Sequence, residues 1–380
     1  MENRTRHDRN NKPPKVSIIL AARNEEKYIA KSFESFLSQD YPNFEIIAVD
    51  DSSSDSTCKI MQTYQLLNPD KMVVINAGPP LDEWLGKNWA CYQGYLNATG
   101  EIFLFTDADT TFSSKAVSLA VGLLIDERLN ALTVRPNIKC ESFWGKIIIP
   151  VLWTFSHIKY SALRVNDNKV KRAGYLFGCF YLISRKTYES IGTHKEVKSE
   201  IIEDAALGDR LKQRGYRLKM YRGEHHINTI LAADFAAILQ GLKRSLNLIP
   251  FSNNGIINIV LTWLLLTNPF LLLFSVLLIA YQFSISAEYI LLNQLLLIVN
   301  SITMLIIVST FAVQSKIGLS QSLVYGFVSP VAGLFVSLIF TLLIVNQRKT
   351  GGCNIGWRGR RYVFSKNTYT NFEHSKRRQD

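Results

Sequence analysis

Three short apolar runs constrain this chain more than any other feature: Val16–Ala21 (VSIILA), Phe44–Val49 (FEIIAV) and Ile102–Thr106 (IFLFT). Each is rich in β-branched or aromatic residues, and each stops abruptly in polar or acidic residues. Runs of that length and composition read as strands buried on both faces, as in a parallel sheet. Between the first two, Ile29, Phe33, Phe36 and Leu37 recur at helical spacing until Tyr41-Pro42-Asn43 breaks the pattern. A second helix is expected from about Ser56 to Asn68, with Met72–Ile75 as a further strand. Strands alternating with helices across short joints predict an open, mostly parallel α/β sheet. Ligands of such sheets sit beyond the carboxyl ends of the strands. Ala21–Glu25, Asp50–Asp55 and Asp107–Asp109 all fall there.

The chemistry of those strand ends is consistent. Asp107 and Asp109 are one residue apart, so both carboxylates can face one point. Two hard oxygen donors suit Mg²⁺ or Mn²⁺ holding a diphosphate, since these ions share their shell with water and phosphate. The alternative is a pair of aspartates capping the turn. Asp50 or Asp51 can accept hydrogen bonds from a ribose hydroxyl or a base N–H; Asp51 or Ser54 can equally cap the next helix, and the two roles are compatible, one aspartate for each. The first turn has no G-x-G-x-x-G, which disfavours a dinucleotide oxidoreductase. Lys87 precedes an expected helix from about Asn88 to Ala98, where a lysine and free backbone N–H groups can meet a phosphate; an exposed loop lysine is the plainer reading. Gly174–Ser184 reads as a buried strand in which Gly178 permits close approach of a sugar. Glu203 and Asp204 open a helix ending before Gly215. Either acid satisfies the helix dipole, and Asp204 is the candidate general base toward an acceptor hydroxyl. A late strand is expected at Arg217–Tyr221, followed by Glu224-His225-His226, where a metal or phosphate contact competes with a solvated loop.

Charge is distributed unevenly. The formal net charge is +12, yet from Gly255 to Asn346 only Glu288 and Lys316 are charged. Basic residues lie in the first fifteen residues, between Arg164 and Arg172, from Arg210 to Arg222 and after Asn346. Flanking an apolar block, this pattern points to an anionic bilayer rather than nucleic acid. Segments at about Ile256–Tyr281, Tyr289–Val313 and Leu323–Val345 are each long enough to span a bilayer. Three crossings from the cytosol would place the basic tail outside, against the positive-inside rule. A hairpin or re-entrant segment would remove that conflict, and the first, broken at Asn268-Pro269, is the candidate; the sequence is compatible with two, three or four crossings. Phe143–Tyr160, interrupted by Pro150, reads as an interfacial or acceptor-covering helix, or else as core. Phe235–Pro250 reads as an amphipathic surface helix whose Gln240, Lys243 and Arg244 face water or a pyrophosphate. The expected organisation is a basic lead-in (1–15), an α/β domain (16–234), the amphipathic helix (235–254), the membrane region (255–346) and a basic cytosolic tail (347–380). No apolar leader is seen at the N-terminus, so the α/β domain is expected in the cytosol. Cys58, Cys91, Cys140, Cys179 and Cys353 show no metal spacing.

In combination, VSIILAARNEE, IIAVDDSSSDST, GKNWACYQG, FLFTDADT, GYLFGCFYLISRKTYESIG and EDAALGDRLKQRGYR resemble the family 2 glycosyltransferases of GT-A fold, in family order from residue 16 to about 222. DEWLGKNWA and the terminal WRGRRY are similar to the branch that glycosylates carotenoid acids and hopanoids. The resemblance implies an inverting transfer of one sugar from a UDP- or GDP-sugar to a membrane lipid. It implies nucleotide contacts at Ala22, Asn24, Glu25, Asp50, Asp51, Lys87 and Asp107, and a divalent metal at Asp107 and Asp109. Asp204 becomes the base, with Gly178, Glu203, Gln240, Lys243 and Arg244 toward the acceptor or diphosphate. Processive polysaccharide synthases carry Gln-x-x-Arg-Trp after the base, whereas Gln240 is followed by Gly-Leu-Lys-Arg-Ser. That departure disfavours a polymer-forming synthase. The intact acidic clusters disfavour a non-catalytic membrane scaffold.

Overall fold

The computed structural model describes residues 12–231, 235–245, 277, 281, 290–350, 352–357, 359–365 and 369–371. The chain divides into two compact units, residues 1–136 with 162–228, and residues 137–161 with 229–380.

The first unit is built on β1 (Val16–Ala22), β2 (Phe44–Asp50), β3 (Met72–Asn76) and β4 (Ile102–Asp107), with α1 (Ile29–Leu37), α2 (Thr57–Leu67) and α3 (Gly86–Asn97) between them. After β4 come β5 (Thr110–Phe112), α4 (Ala116–Asp126) and β6 (Ala131–Arg135). The strand β7 (Asn137–Cys140) and the helix α5 (Phe143–Tyr160) belong to the second unit. The first unit resumes with α6 (Ala162–Asn166), β8 (Tyr181–Ser184), α7 (Arg185–Ser190), α8 (Glu203–Gln213) and β9 (Leu218–Arg222), and β10 (Ile227–Leu231) follows. Its seven-stranded sheet has the order β3-β2-β1-β4-β8-β6-β9. β1 pairs in parallel with β2 and β4, as the uninterrupted apolar runs require, while β8 runs antiparallel between β4 and β6. Ile18, Leu20, Ile46, Leu104, Leu132 and Leu182 pack from the sheet against Ile29, Phe33, Phe36, Val117 and Val121 of the helices. This is a mixed α/β sheet.

One expected strand is shorter than the sequence indicates. Of Gly174–Ser184, only Tyr181–Ser184 is strand; the residues before it pass as an irregular segment under α8. A Cβ on Gly174 would lie 1.8 Å from the Gly208 carbonyl oxygen. Backbone therefore rests on backbone there, and a tertiary contact overrides the β-forming composition.

In the second unit, Ile147, Ile148 and Val151 of α5 pack with Ile238 and Leu242 of α9 (Phe235–Ser245). Phe311 of α10 (Ile290–Leu319) and Ala332 and Val336 of α11 (Val324–Thr350) complete this core. Trp144 stacks on Phe335 with ring centroids 5.4 Å apart. α5 is thus core on one face, while Phe143 and Trp144 are 56% and 40% exposed. α10 and α11 approach closely at Ala312 and Gly326, where a Cβ on the glycine would meet the Ala312 backbone. Among the described residues one stretch, Leu297–Ile317, is long and apolar enough to cross a membrane, with mean hydropathy 1.9. The expected first crossing, Ile256–Tyr281, lies outside the described residues apart from Leu277 and Tyr281. The basic segment after Asn346 carries an antiparallel sheet, β11 (Gly352–Trp357), β12 (Arg360–Ser365) and β13 (Tyr369–Asn371), which its composition did not disclose.

Candidate active site

The sheet register sets Ala22 beside Asp50 and Ala21 beside Asp107, so three strand ends meet at one rim. Two loops at this rim are tied to each other. Asn24, with φ +54°, accepts from Ser54 N at 2.8 Å through Oδ1, and Glu25 N donates to Thr57 Oγ1 at 2.7 Å. Asp50 accepts from Ser53 N at 3.3 Å, closing the turn after β2. Helix α2 starts after Ser56, which makes no side-chain cap bond. Asp55 accepts from Thr57 N at 3.0 Å, and Glu26 accepts from Ser56 N at 2.9 Å. Asp51 is held through its backbone, with its N–H donating to Ala22 O at 2.8 Å. Its carbonyl accepts from Arg23 Nη1 at 2.7 Å. Arg23, which the sequence reading passed over, also binds the Ser52 carbonyl at 2.8 Å and so fixes the acidic loop. An arginine next to a strand end carries no distinguishing pattern.

At the end of β4, Ala108 is buried and its carbonyl accepts from Ser32 Oγ at 2.7 Å. Asp107 and Asp109 on either side of it are half-buried. Lys87 lies in the first turn of α3 and is not the exposed loop lysine of the plainer reading. Its Nζ is 3.0 Å from Asp107 Oδ1 and 2.8 Å from Glu203 Oε1. Asp204, the second residue of α8, accepts from Gly178 N at 3.0 Å and from Ala205 N at 2.7 Å. A Cβ on Gly178 would lie 3.1 Å from Asp204 Oδ2, 3.3 Å from Lys87 Nζ and 3.5 Å from Asp107 Oδ2. Four residues far apart in sequence thus surround one small space that only glycine leaves open.

Electrostatics at this space follow from burial and charge. Burial, then the neighbouring Glu203 carboxylate, push the Asp204 carboxyl up to about 7 against the opposing Lys87. Burial also opposes the charge on Lys87, but Asp107, Glu203 and Asp204 outweigh it and hold the lysine well above its ordinary value. The site therefore contains an acid–base group poised near neutrality and a permanent cation.

Asp107 and Asp109 offer hard oxygen donors, and the Gly178 space adjoins Asp107. Among the described residues no three His, Cys, Asp or Glu side chains are placed to hold a metal ion together. Mg²⁺ bound with phosphate takes one or two protein carboxylates, so this donor set fits such an ion. Elsewhere, Glu224 pairs with Arg135 and Arg222, and His226 Nδ1 is 2.8 Å from Ser113 Oγ. Gln240 lies half-buried on α9 of the second unit; the side chains of Lys243 and Arg244 lie outside the described ones.

The family model for glycosyl transferase family 2 matches residues 17–192. These residues form a family 2 glycosyltransferase domain. A 4,4'-diaponeurosporenoate glycosyltransferase of Staphylococcus aureus is 30% identical over 215 residues, 55% of this chain and 54% of that protein. A second Staphylococcus aureus protein of that name is 29% identical over 216 residues, again 54% of its length. The chain spans about half the length of the curated relatives it matches. Among solved structures, the mannosyltransferase PcManGT from Pyrobaculum calidifontis, in complex with GDP-Man and Mn²⁺, aligns with TM-score 0.47 and 18% identity over 86% of this chain and 88% of that one. Staphylococcus aureus TarS with UDP-GlcNAc aligns with TM-score 0.42 and 14% identity, over 94% and 98%. The family 2 domain thus contains the whole rim through Asp109 and the Gly178 space, while Glu203 and Asp204 follow just beyond the matched residues.

Proposed function

We propose that this family 2 glycosyltransferase moves a single sugar, with inversion, from a UDP- or GDP-sugar to a membrane lipid at the cytosolic face. The observation that carries the reading is the convergence of Lys87, Asp107 and Asp204 on the space at Gly178. Ala22, Asn24, Glu25, Asp50 and Asp51 line the rim where the nucleoside binds, Asp51 receiving its base or ribose. Asp107 and Asp109 hold a divalent cation, which neutralises charge on the diphosphate when bound. Glu203 keeps Lys87 at the centre, where its charge favours the departing diphosphate.

The sugar's anomeric carbon rests against Gly178. Asp204 orients the acceptor hydroxyl and removes its proton as the oxygen attacks. The new C–O bond forms as the bond to the diphosphate breaks, and the proton stays on Asp204. A carboxyl near 7 suits this task at neutral pH. The lipid acceptor, of carotenoid, hopanoid, glycolipid or polyprenyl type, is supported by the exposed apolar residues of α10. Leu295, Ile298, Ile302, Leu305 and Ile306 are each more than half exposed, an arrangement that water disfavours and acyl chains accept. The basic segments flanking this region favour an anionic leaflet.

Titration calorimetry of the detergent-solubilised chain with UDP and GDP, with and without Mn²⁺, tests the donor half. Binding of one nucleotide that weakens at least tenfold without Mn²⁺, and likewise in Asp107→Ala, is expected. Equal binding with and without metal overturns the assignment of Asp107 and Asp109.

A further inference from the structure

Asn88 stands next to Lys87 yet reaches away from the sugar site. Its side chain is 1% exposed, and Nδ2 donates to three carbonyls of one turn, Val197 O at 2.8 Å, Lys198 O at 3.1 Å and Glu200 O at 2.9 Å. An amide has two N–H groups, so one is shared. Leu85 N, just before α3, donates to the same Lys198 carbonyl at 2.8 Å. The turn so gripped leads within three residues to Glu203 and Asp204. α8 begins there without a side-chain cap, since Ile202 occupies the capping position. A helix start that lacks its own cap is held by its surroundings or frays.

The rest of the approach to α8 is braced farther back. Arg210 pairs with Glu196 at 2.7 Å and donates to Ile191 O at 3.1 Å, and the buried His194 bonds Tyr188. These contacts end at Val197. Among the described residues between Val197 and Glu203, the Lys198 side chain pairs with Glu83 ahead of α3, and Asn88 is the α3 side chain that binds the backbone of the turn. We infer that Asn88 is a positioning residue that clamps the 197–200 turn to the helix carrying Lys87. The clamp sets the distance between the cation and the acid pair. Glu203 then reaches Lys87 Nζ while Asp204 meets Gly178 N. Asn88 touches neither donor nor acceptor and acts through Asp204.

This inference rests on the transferase reading, so its test needs a readout independent of turnover. Asn88→Ala removes the donors, and Asn88→Ser keeps one hydroxyl donor. In hydrogen exchange of the full chain in detergent, Asn88→Ala is expected to lose protection across residues 197–205 while β1 and β4 stay protected. Its nucleotide affinity should stay within about twofold and its kcat fall about 10²-fold, the loss that a misplaced catalytic group causes. Asn88→Ser should recover part of both exchange protection and kcat. If Asn88→Ala does not fold, Asn88→Ser alone carries the test, with intermediate losses expected. Unchanged exchange at 197–205 overturns the clamp. So does a lowered melting temperature with kcat per folded molecule intact, which marks a merely structural contact. A weakened nucleotide affinity with kcat intact would make Asn88 a donor-binding residue and also overturn it. If the wild type binds no nucleotide and transfers nothing, the transferase reading falls, and the exchange result still decides the clamp.

Discussion

Replacing Lys87 with methionine keeps the length of the side chain and removes the one charge that three carboxyl groups face. Lys87 Nζ lies 3.0 Å from Asp107 and 2.8 Å from Glu203, with side-chain exposures of 19% for the lysine, 34% for Asp107 and 8% for Glu203. Breaking a buried pair by deleting one partner costs about 3–5 kcal/mol, because the other charge stays buried and uncompensated. Glu203 fits that description, whereas Asp107 is open enough for water to screen it. A net loss of about 3 kcal/mol is therefore expected near pH 8. For a domain of about 200 residues this corresponds to a melting temperature lower by about 6–12 °C. The sign with pH follows from Asp204. Its folded pKa of about 7 lies above the unfolded carboxylate value. Its contribution is thus most favourable at low pH and is lost as pH rises toward 7. Without Lys87 the acid pair repels more strongly, so the destabilisation grows with pH and shrinks on acidification. Thermal melts of wild type and Lys87→Met in the same detergent at pH 5.5 and pH 8 measure this. A deficit of the same size at both pH values, or one below about 1 kcal/mol, would refute the account of the charged cluster.

Other consequences are open to test. The acidic limb of kcat/KM, which reports the free enzyme, should rise with pH through about 7 and report Asp204; a limb near 4 would show that the carboxyl is not raised. Gly178→Ala should fold normally, since its Cβ would meet only side-chain ends at 3.1–3.5 Å. Its transfer rate should fall about 10²-fold or more, and an active Gly178→Ala would remove the sugar from that space. Gly174→Ala, with its Cβ 1.8 Å from the Gly208 carbonyl, should destabilise by about 3 kcal/mol or more. Gly122→Ala, in α4 with nothing within 4 Å, should stabilise by about 0.5–1 kcal/mol. Chemical denaturation distinguishes the last two. With an acceptor already ionised at neutral pH, Asp204→Asn should be only partly impaired, while transfer to a hydroxyl acceptor is abolished; equal losses would show that Asp204 does not act as a base.

Much of this arrangement is legible in the sequence, and the reason is local. Fully buried parallel strands leave unbroken apolar runs, so Val16–Ala22 and Ile102–Asp107 announce both the sheet and the rim where Asp50 and Asp107 emerge. Glu203-Asp204 at a helix start is equally visible. What escaped depends on contacts distant in sequence. Gly174–Phe180 has strand composition but yields to the backbone contact with Gly208. Lys87 reads as a loop lysine until α8 brings Glu203 against it. Asn88 carries no pattern, because its partners are carbonyls more than a hundred residues later. α5 follows the sheet strands in sequence yet packs with α9, α10 and α11. A helix's apolar face does not name its partner. The strands after Asn346 are short and lie in a basic segment, and only their pairing reveals them.

The most direct test of the central claim is transfer of labelled sugar into a lipid extract from the source cell. A panel of UDP- and GDP-sugars with Mn²⁺ would be offered to wild type and to Asp204→Asn with matched nucleotide binding. The account predicts one donor whose label enters the lipid phase with wild type, and at least 10³-fold less product with Asp204→Asn when the acceptor is a hydroxyl lipid. Wild type that binds the nucleotide but labels no lipid, or a long water-soluble polymer in place of a lipid product, would contradict it.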